Sequence, residues 1–197
     1  AGYEALALHG DLEQKQRDQT LVRFANRSAS VLVATDVAAR GLDIEALDMV
    51  INYQIAREFE VHTHRIGRTG RAGAHGIACS LYTQRENHKI GLLEDYLKQK
   101  FDRGDLPSVS LLRQPPFYPP MVTLQIGGGK KQKVRAGDIV GALTSSDGIP
   151  GTAIGRIQVG DQWAYVAVAH AHGKTAFKKL SEGKLKGRSF KVRHLRS

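Results

Sequence analysis

The densest chemistry in this sequence lies at His64-Arg-Ile-Gly-Arg-Thr-Gly-Arg-Ala-Gly73, where three arginines fall within seven residues. A guanidinium presents a planar fork of donors that matches phosphate oxygens. The interleaved glycines let the backbone approach another surface closely. Such a group suits stabilisation of charge developing on a transferred phosphoryl group, the arginine-finger role. The plainer reading is a solvated basic turn. A second string, Val31-Leu-Val-Ala-Thr-Asp-Val-Ala-Ala-Arg-Gly-Leu-Asp-Ile44, runs from an apolar strand into a polar turn. Ligands of parallel sheets gather at the carboxyl ends of strands, which is where Thr35 and Asp36 fall. Asp43 suits a ribose hydroxyl, although an aspartate taken singly serves as well as a cap or turn residue.

The elements that must position these residues alternate in type. Ala5–His9 reads as a short strand. Asp11 opens a helical stretch, with Gln14 as its capping-box partner and Leu21, Phe24 and Ala25 on its apolar face. Val31–Thr35, Met49–Tyr53 and Gly76–Tyr82 read as further strands, the first of them fully buried. Cys79, the only cysteine, falls in the last of them and reads as a buried packing residue. Thr83 and Glu86 form a second capping box before a helix carrying Ile90, Leu93 and Leu97 on one stripe. Strands and helices alternating at this spacing imply βαβ crossovers and a parallel sheet.

The pattern breaks at Phe101–Pro120, which holds five of the six prolines and should form an extended linker. Charge changes at the same place. Residues 1–115 carry 15 basic and 15 acidic side chains, whereas the last 82 residues carry 14 and 4. The whole excess of +10 therefore sits in the second half, which points to a polyanion partner, most often nucleic acid. That half reads β-α-β-β-α-β: strands at Val122–Ile126, Thr152–Val159, Trp163–Ala169 and Ser189–Leu195, and helices at Asp138–Leu143 and Lys174–Leu180. This is the split βαβ arrangement of RNA-recognition domains. Its candidate RNA cations are Lys130, Lys131, Lys133 and Arg135 in one loop, with Lys186, Arg188, Lys191 and Arg193 along the last strand and its approach. Strand alternation places Lys191 and Arg193 on the exposed face. Trp163 and Tyr165 occupy two aromatic positions of the usual base-stacking pattern, but Gln162 and Val168 depart from it. Stacking and plain strand packing both remain open for them.

The two chemistry-bearing strings together resemble motifs V and VI of DEAD-box RNA helicases. His9-Gly-Asp-Leu-Glu-Gln14 with Arg17 resembles the neighbouring motif IVa, so the resemblance runs from Ala1 to about Lys100. It implies a second RecA-like domain over residues 1–104, a Pro-rich linker over 105–120 and an RRM-like domain over 121–197. The fold class is then α/β, a parallel-sheet RecA-like domain followed by a small ferredoxin-like one. The resemblance makes Arg68 and Arg71 the arginine fingers, with His64 and Arg65 coupling to the family's first RecA-like domain. Asp43 matches a ribose contact, Gly41 lies beside the nucleotide, and Arg17 and Thr35 match RNA-phosphate contacts. The order of parts, with Ile126-Gly-Gly-Gly-Lys-Lys-Gln-Lys133 and Gly137-Asp-Ile-Val-Gly-Ala-Leu143, resembles the bacterial DbpA/YxiN type. The implied cofactor is ATP with magnesium, held mainly by the first RecA-like domain. The implied partner is structured ribosomal RNA of the large subunit, remodelled during ribosome assembly in a cytoplasmic setting.

Several features are absent or bland. No phosphate loop and no Asp-Glu-Ala-Asp segment occur, and Gly173-Lys-Thr175 lacks the required earlier glycine. The chain is therefore expected to begin inside its RecA-like domain and to be inactive alone as an ATPase. His62 and His64 have no third ligand nearby, so no metal site is expected. No apolar run is long enough to span a membrane. One competing reading is a non-enzymatic RNA-binding or assembly module, and another is a DNA translocase of the same superfamily.

Overall fold

The computed structural model describes residues 2–39, 44, 47–70 and 75–195. The chain forms two compact units, Arg40–Gln114 and Ala1–Ala39 together with Pro115–Ser197.

In the unit that holds both ends of the chain, β1 (Ala5–Leu8) pairs in parallel with β2 (Val31–Ala34), with Ala5 opposite Val31. The crossover is α1 (Gln14–Ala25), which packs on β1, where Leu6 and Leu8 are buried. The capping box stands two residues beyond the expected Asp11/Gln14 pair. Gln16 Oε1 accepts from the Glu13 N–H at 3.2 Å, because Asp11 is still in the turn that precedes the helix. β2 runs into a single helical turn, α2 (Asp36–Ala39).

The second unit repeats the crossover. β3 (Met49–Asn52) pairs in parallel with β4 (Ile77–Ser80), and α3 (Phe59–Ile66) lies between them in sequence. α4 (Asn87–Leu97) follows, with Ile90 and Leu93 buried. The expected Thr83/Glu86 box opens the 3-10 turn Gln84–Glu86 that leads into α4: Glu86 Oε2 accepts from the Thr83 N–H at 3.2 Å and from its hydroxyl at 3.0 Å. Burial of the strands differs from expectation. Val33 is 63% exposed and Ile51 60%, and Cys79 is exposed rather than buried. Among the described residues, each of these two sheets has two strands, so each strand has one neighbour. Apolar runs suited to a doubly covered parallel sheet lack that cover among the described residues.

Residues from Met121 onward build β5 (Met121–Ile126), α5 (Ala136–Thr144), β6 (Ile154–Val159), β7 (Ala164–Ala169), α6 (Gly173–Glu182) and β8 (Val192–His194). These form the expected β-α-β-β-α-β domain. The antiparallel sheet has the order β6-β7-β5-β8, with Met121 opposite Ala169 and Gln125 opposite Arg193. β8 spans three residues, shorter than Ser189–Leu195. One face of the sheet and the two helices share a core of Leu124, Ile126, Val166, Val168, Ile139, Leu143 and Leu180. Each such side chain contributes about 1.5–3 kcal/mol by leaving water.

Candidate functional site

The arginine motif begins at the end of α3 and is tied to the end of β3. Arg65 Nη1 donates to Asn52 Oδ1 at 3.2 Å and to the Gln54 carbonyl at 2.8 Å. Asn52 is the buried last residue of β3, and its Nδ2 donates to Ser80 Oγ on β4 at 3.2 Å. One amide therefore links two strands to the arginine. The turn beyond is pinned next: the Leu47 N–H donates to the Arg68 carbonyl at 3.0 Å, and the Thr69 hydroxyl donates to the Leu47 carbonyl. Arg68 is half-buried and His64 exposed. His62, one turn before Ile66, is buried with no hydrogen-bond partner for Nδ1, and burial, reinforced by the Arg65 charge, lowers its pKa. Gly41, Asp43 and Arg71 lie outside the described residues.

Arg17 and Thr35 meet at α2. Arg17 Nη2 donates to the Ala38 carbonyl at 2.7 Å, while Thr35 Oγ1 accepts from the Ala38 N–H at 3.4 Å. The residue matched on α1 and the residue just after β2 thus share one short turn at the carboxyl end of the β1–β2 pair.

In the C-terminal domain, two groups of cations distant in sequence lie at one end. The Gly127 N–H donates to the Lys191 carbonyl at 2.8 Å. Asp138 Oδ2 accepts from the Arg135 N–H at 2.8 Å and pairs with Lys186 Nζ at 3.4 Å. The lysine loop is held against the β6–β7 turn, with the Lys130 N–H donating to Gly160 O at 2.8 Å and the Lys131 N–H to Asp161 O at 2.9 Å. Close approach requires Gly128 and Gly129: an added Cβ would press into the Phe190 ring and the Gly160–Asp161 backbone, respectively. Lys130, Lys131, Lys133, Arg135, Lys186, Arg188 and Lys191 are all exposed and form a basic rim. Arg193 is exposed too, its Nε donating to Gln125 Oε1 at 2.7 Å.

The two aromatic candidates part company. Trp163 remains on the surface, but Tyr165 is buried against Val22 and Leu195. Burial pushes the Tyr165 hydroxyl pKa up, with the Gln19 amide offsetting part of the effect. Among the described residues, no three His, Cys, Asp or Glu side chains gather as a metal site, and no helix is long and apolar enough to cross a membrane. Sequence reasoning missed Asn52, Gln54 and Asp138, the groups that hold the cations. A polar residue closing an apolar strand, as Asn52 does, was the available signal.

Comparison with known proteins agrees with this arrangement. Residues 1–73 match the helicase conserved C-terminal domain, and residues 123–194 match the DbpA RNA binding domain. Together they define a class in which a C-terminal helicase domain is joined to a dedicated RNA-binding domain. The chain is 50% identical over 195 residues to the ATP-dependent RNA helicase DbpA of Escherichia coli, covering 99% of this chain and 42% of that protein. It is 34% identical over 211 residues to the helicase of the same name from Bacillus subtilis, covering 97% of this chain and 44% of that protein. A DEAD box protein from Methanococcus jannaschii is 44% identical over half of this chain and 27% of its own, with a TM-score of 0.47. The chain thus spans less than half the length of the curated relatives it matches. It belongs to the DbpA-type DEAD-box helicases, to whose C-terminal part it corresponds.

Proposed function

We propose that this chain is the RNA-targeting and arginine-supplying part of an ATP-dependent RNA helicase that remodels structured ribosomal RNA of the large subunit during ribosome assembly. The basic rim carries the reading: two sequence-distant sets of cations are held at one end of the C-terminal domain by backbone bonds and Asp138. Phosphate neutralisation there supplies affinity, and the RNA-binding domain supplies the address. Arg17 and Thr35, joined at α2, grip RNA phosphates on the helicase half.

ATP, when bound, supplies the phosphoryl transfer that drives strand separation. The residues present fit a phosphoryl group, since Arg65, Arg68 and His64 bring cationic or protonatable donors to one turn. Arg65 is oriented by Asn52 and Gln54 and couples that turn to the first RecA-like domain. Arg68 stabilises charge on the transferred group, with Arg71, Gly41 and Asp43 completing the nucleotide contacts. Magnesium and most of the nucleotide are held by the first RecA-like domain, so this chain alone neither hydrolyses ATP nor unwinds RNA.

The test is fluorescence anisotropy of the chain with a structured large-subunit ribosomal RNA fragment and with an unrelated hairpin across a salt series. A preference that survives salt supports targeting. Equal binding that collapses with salt reduces the domain to a basic tether. ATP turnover by the isolated chain would refute its expected inactivity.

A further inference from the structure

The two faces of the four-stranded sheet have different companions. α5 and α6 cover the face built from Leu124, Ile126, Val166 and Val168. Strand alternation sends Thr123 and Gln125 of β5, Tyr165 and Ala167 of β7, and Leu195 just beyond β8 to the opposite face. All five are at most 8% exposed, although neither helix of the domain lies on that side. Their cover comes from α1 and the turn after it. Val22 packs with Tyr165 and Leu195. Asn26 Nδ2 donates to Thr123 Oγ1 at 3.2 Å, and Ser28 Oγ lies 2.7 Å from the same hydroxyl. The Met121 N–H donates to the Arg27 carbonyl at 3.4 Å.

The composition of this face suits a helix better than a nucleic acid. Sheets that read single strands expose several aromatic rings on which bases stack. Here Tyr165 is the one ring among those five residues, and Thr123 and Ala167 are small enough for another segment to approach. The polar atoms are matched as well: Thr123 meets both Asn26 and Ser28, which leaves its hydroxyl satisfied in a buried site.

We propose that this sheet face is a resident seat for α1 and not a base-stacking platform, so that the C-terminal domain engages RNA through its basic rim while α1 stays docked. The second half rests on the reading that the chain binds RNA. One consequence is that the turn holding Arg17 and Thr35 and the basic rim move as parts of one compact unit.

A disulfide tests this directly. Ser28 and Thr123 present their hydroxyls to each other, so S28C with T123C places two thiols where a bond can close; C79S removes the exposed native thiol. The full chain is oxidised, its free thiols are counted, and a fluorescein-labelled RNA hairpin with a single-stranded flank is titrated before and after reduction. The expected result is near-complete crosslinking, with RNA affinity in the two redox states equal within about twofold, since locking removes no base-stacking site. Failure to crosslink overturns the seat. A loss of about tenfold or more on oxidation, reversed by dithiothreitol, overturns the second half, because one stacked base carries that much. If neither state binds the hairpin, the RNA reading falls, and thiol count alone decides the seat. Hydrogen exchange of the unmodified chain guards against a misfolded variant. Added RNA should slow exchange in residues 130–135 and leave β5 and the Val22–Ala25 end of α1 unchanged; deprotection of that end overturns the proposal.

Discussion

Gly129→Ala is expected to loosen the lysine loop without touching a lysine. The added methyl would stand 2.8 Å from Asp161 O and closer still to Gly160 O, both backbone atoms that no side-chain rotation can move. Overpacking of this kind costs about 1–3 kcal/mol. Relief requires the loop to withdraw from the β6–β7 turn, which breaks the bonds from Lys130 N–H to Gly160 O and from Lys131 N–H to Asp161 O. Each contributes about 0.5–1.5 kcal/mol net, so relieving the clash by breaking both costs about 1–3 kcal/mol in place of the overpacking. Gly141→Ala supplies the contrast. Gly141 is an exposed residue of α5, and an added methyl there meets nothing within 4 Å. It should stabilise the domain by up to about 1 kcal/mol through helix propensity alone. Urea unfolding followed by fluorescence is the assay. Trp163 is the sole tryptophan and its carbonyl accepts from the Gly160 N–H at 2.9 Å, so its emission reports on the same turn. Gly129→Ala within about 0.5 kcal/mol of the parent would refute the packing argument, because that is the scatter of a neutral surface change.

Three further perturbations probe the site. His62 is buried and its pKa lies below the ordinary value of 6.5, so the unfolded chain takes up the proton first. Stability should therefore be full above about pH 6.5 and decline as pH falls toward the lowered value, and His62→Phe should flatten that slope in urea titrations. On the proposed function, in an enzyme that joins this chain to a first RecA-like domain, Arg68→Ala should abolish ATP turnover while leaving RNA affinity of the C-terminal domain intact, and Asn52→Ala should lower turnover by loosening Arg65; parental steady-state rates in both would remove these roles. Lys131→Glu with Lys133→Glu should weaken RNA binding most at low salt and flatten the dependence of log K on log salt by roughly 0.7–0.9 for each phosphate that is no longer neutralised; an unchanged slope would move the rim elsewhere.

Much of the fold was legible because local rules and tertiary packing agreed. Leu124 and Ile126 alternate with Thr123 and Gln125, which sends the apolar pair to the face that α5 and α6 cover, and Thr83 with Glu86 announced the approach to α4. The Asp11/Gln14 box misled because Asp11 lies in the turn that precedes the helix, and Glu13 with Gln16 fits the helix actually formed. The burial of β2 and β4 misled for a different reason. Val33 and Cys79 are patterned for cover on both faces, but pattern records what a strand requires, and each described sheet gives it a single neighbour. Tyr165 was left open between stacking and strand packing because position in a strand says nothing of which segment lies across it. Val22 and Ser28 stand far in sequence from the strands they cover, and no periodicity links them.

Asp138 and Asn52 show why the anchors were harder to read than the groups they anchor. A cation that meets phosphate must remain exposed, so its presence is visible as charge in the sequence. The residue that fixes it must satisfy several donors or acceptors at once. Asp138 caps α5 through the Arg135 N–H and also meets Lys186. Asn52 receives Arg65 while donating to Ser80. Either residue would be unremarked as a helix cap or a strand end, and only the second bond gives it a part in the site. The basic rim follows from the same economy. One carboxylate joins the two runs of cations without neutralising them, since Lys130, Lys131, Lys133, Arg188 and Lys191 remain exposed around it. Like charges gathered at one end disfavour the free chain and favour any polyanion that relieves their mutual repulsion, which is the physical basis on which the proposed RNA contact rests.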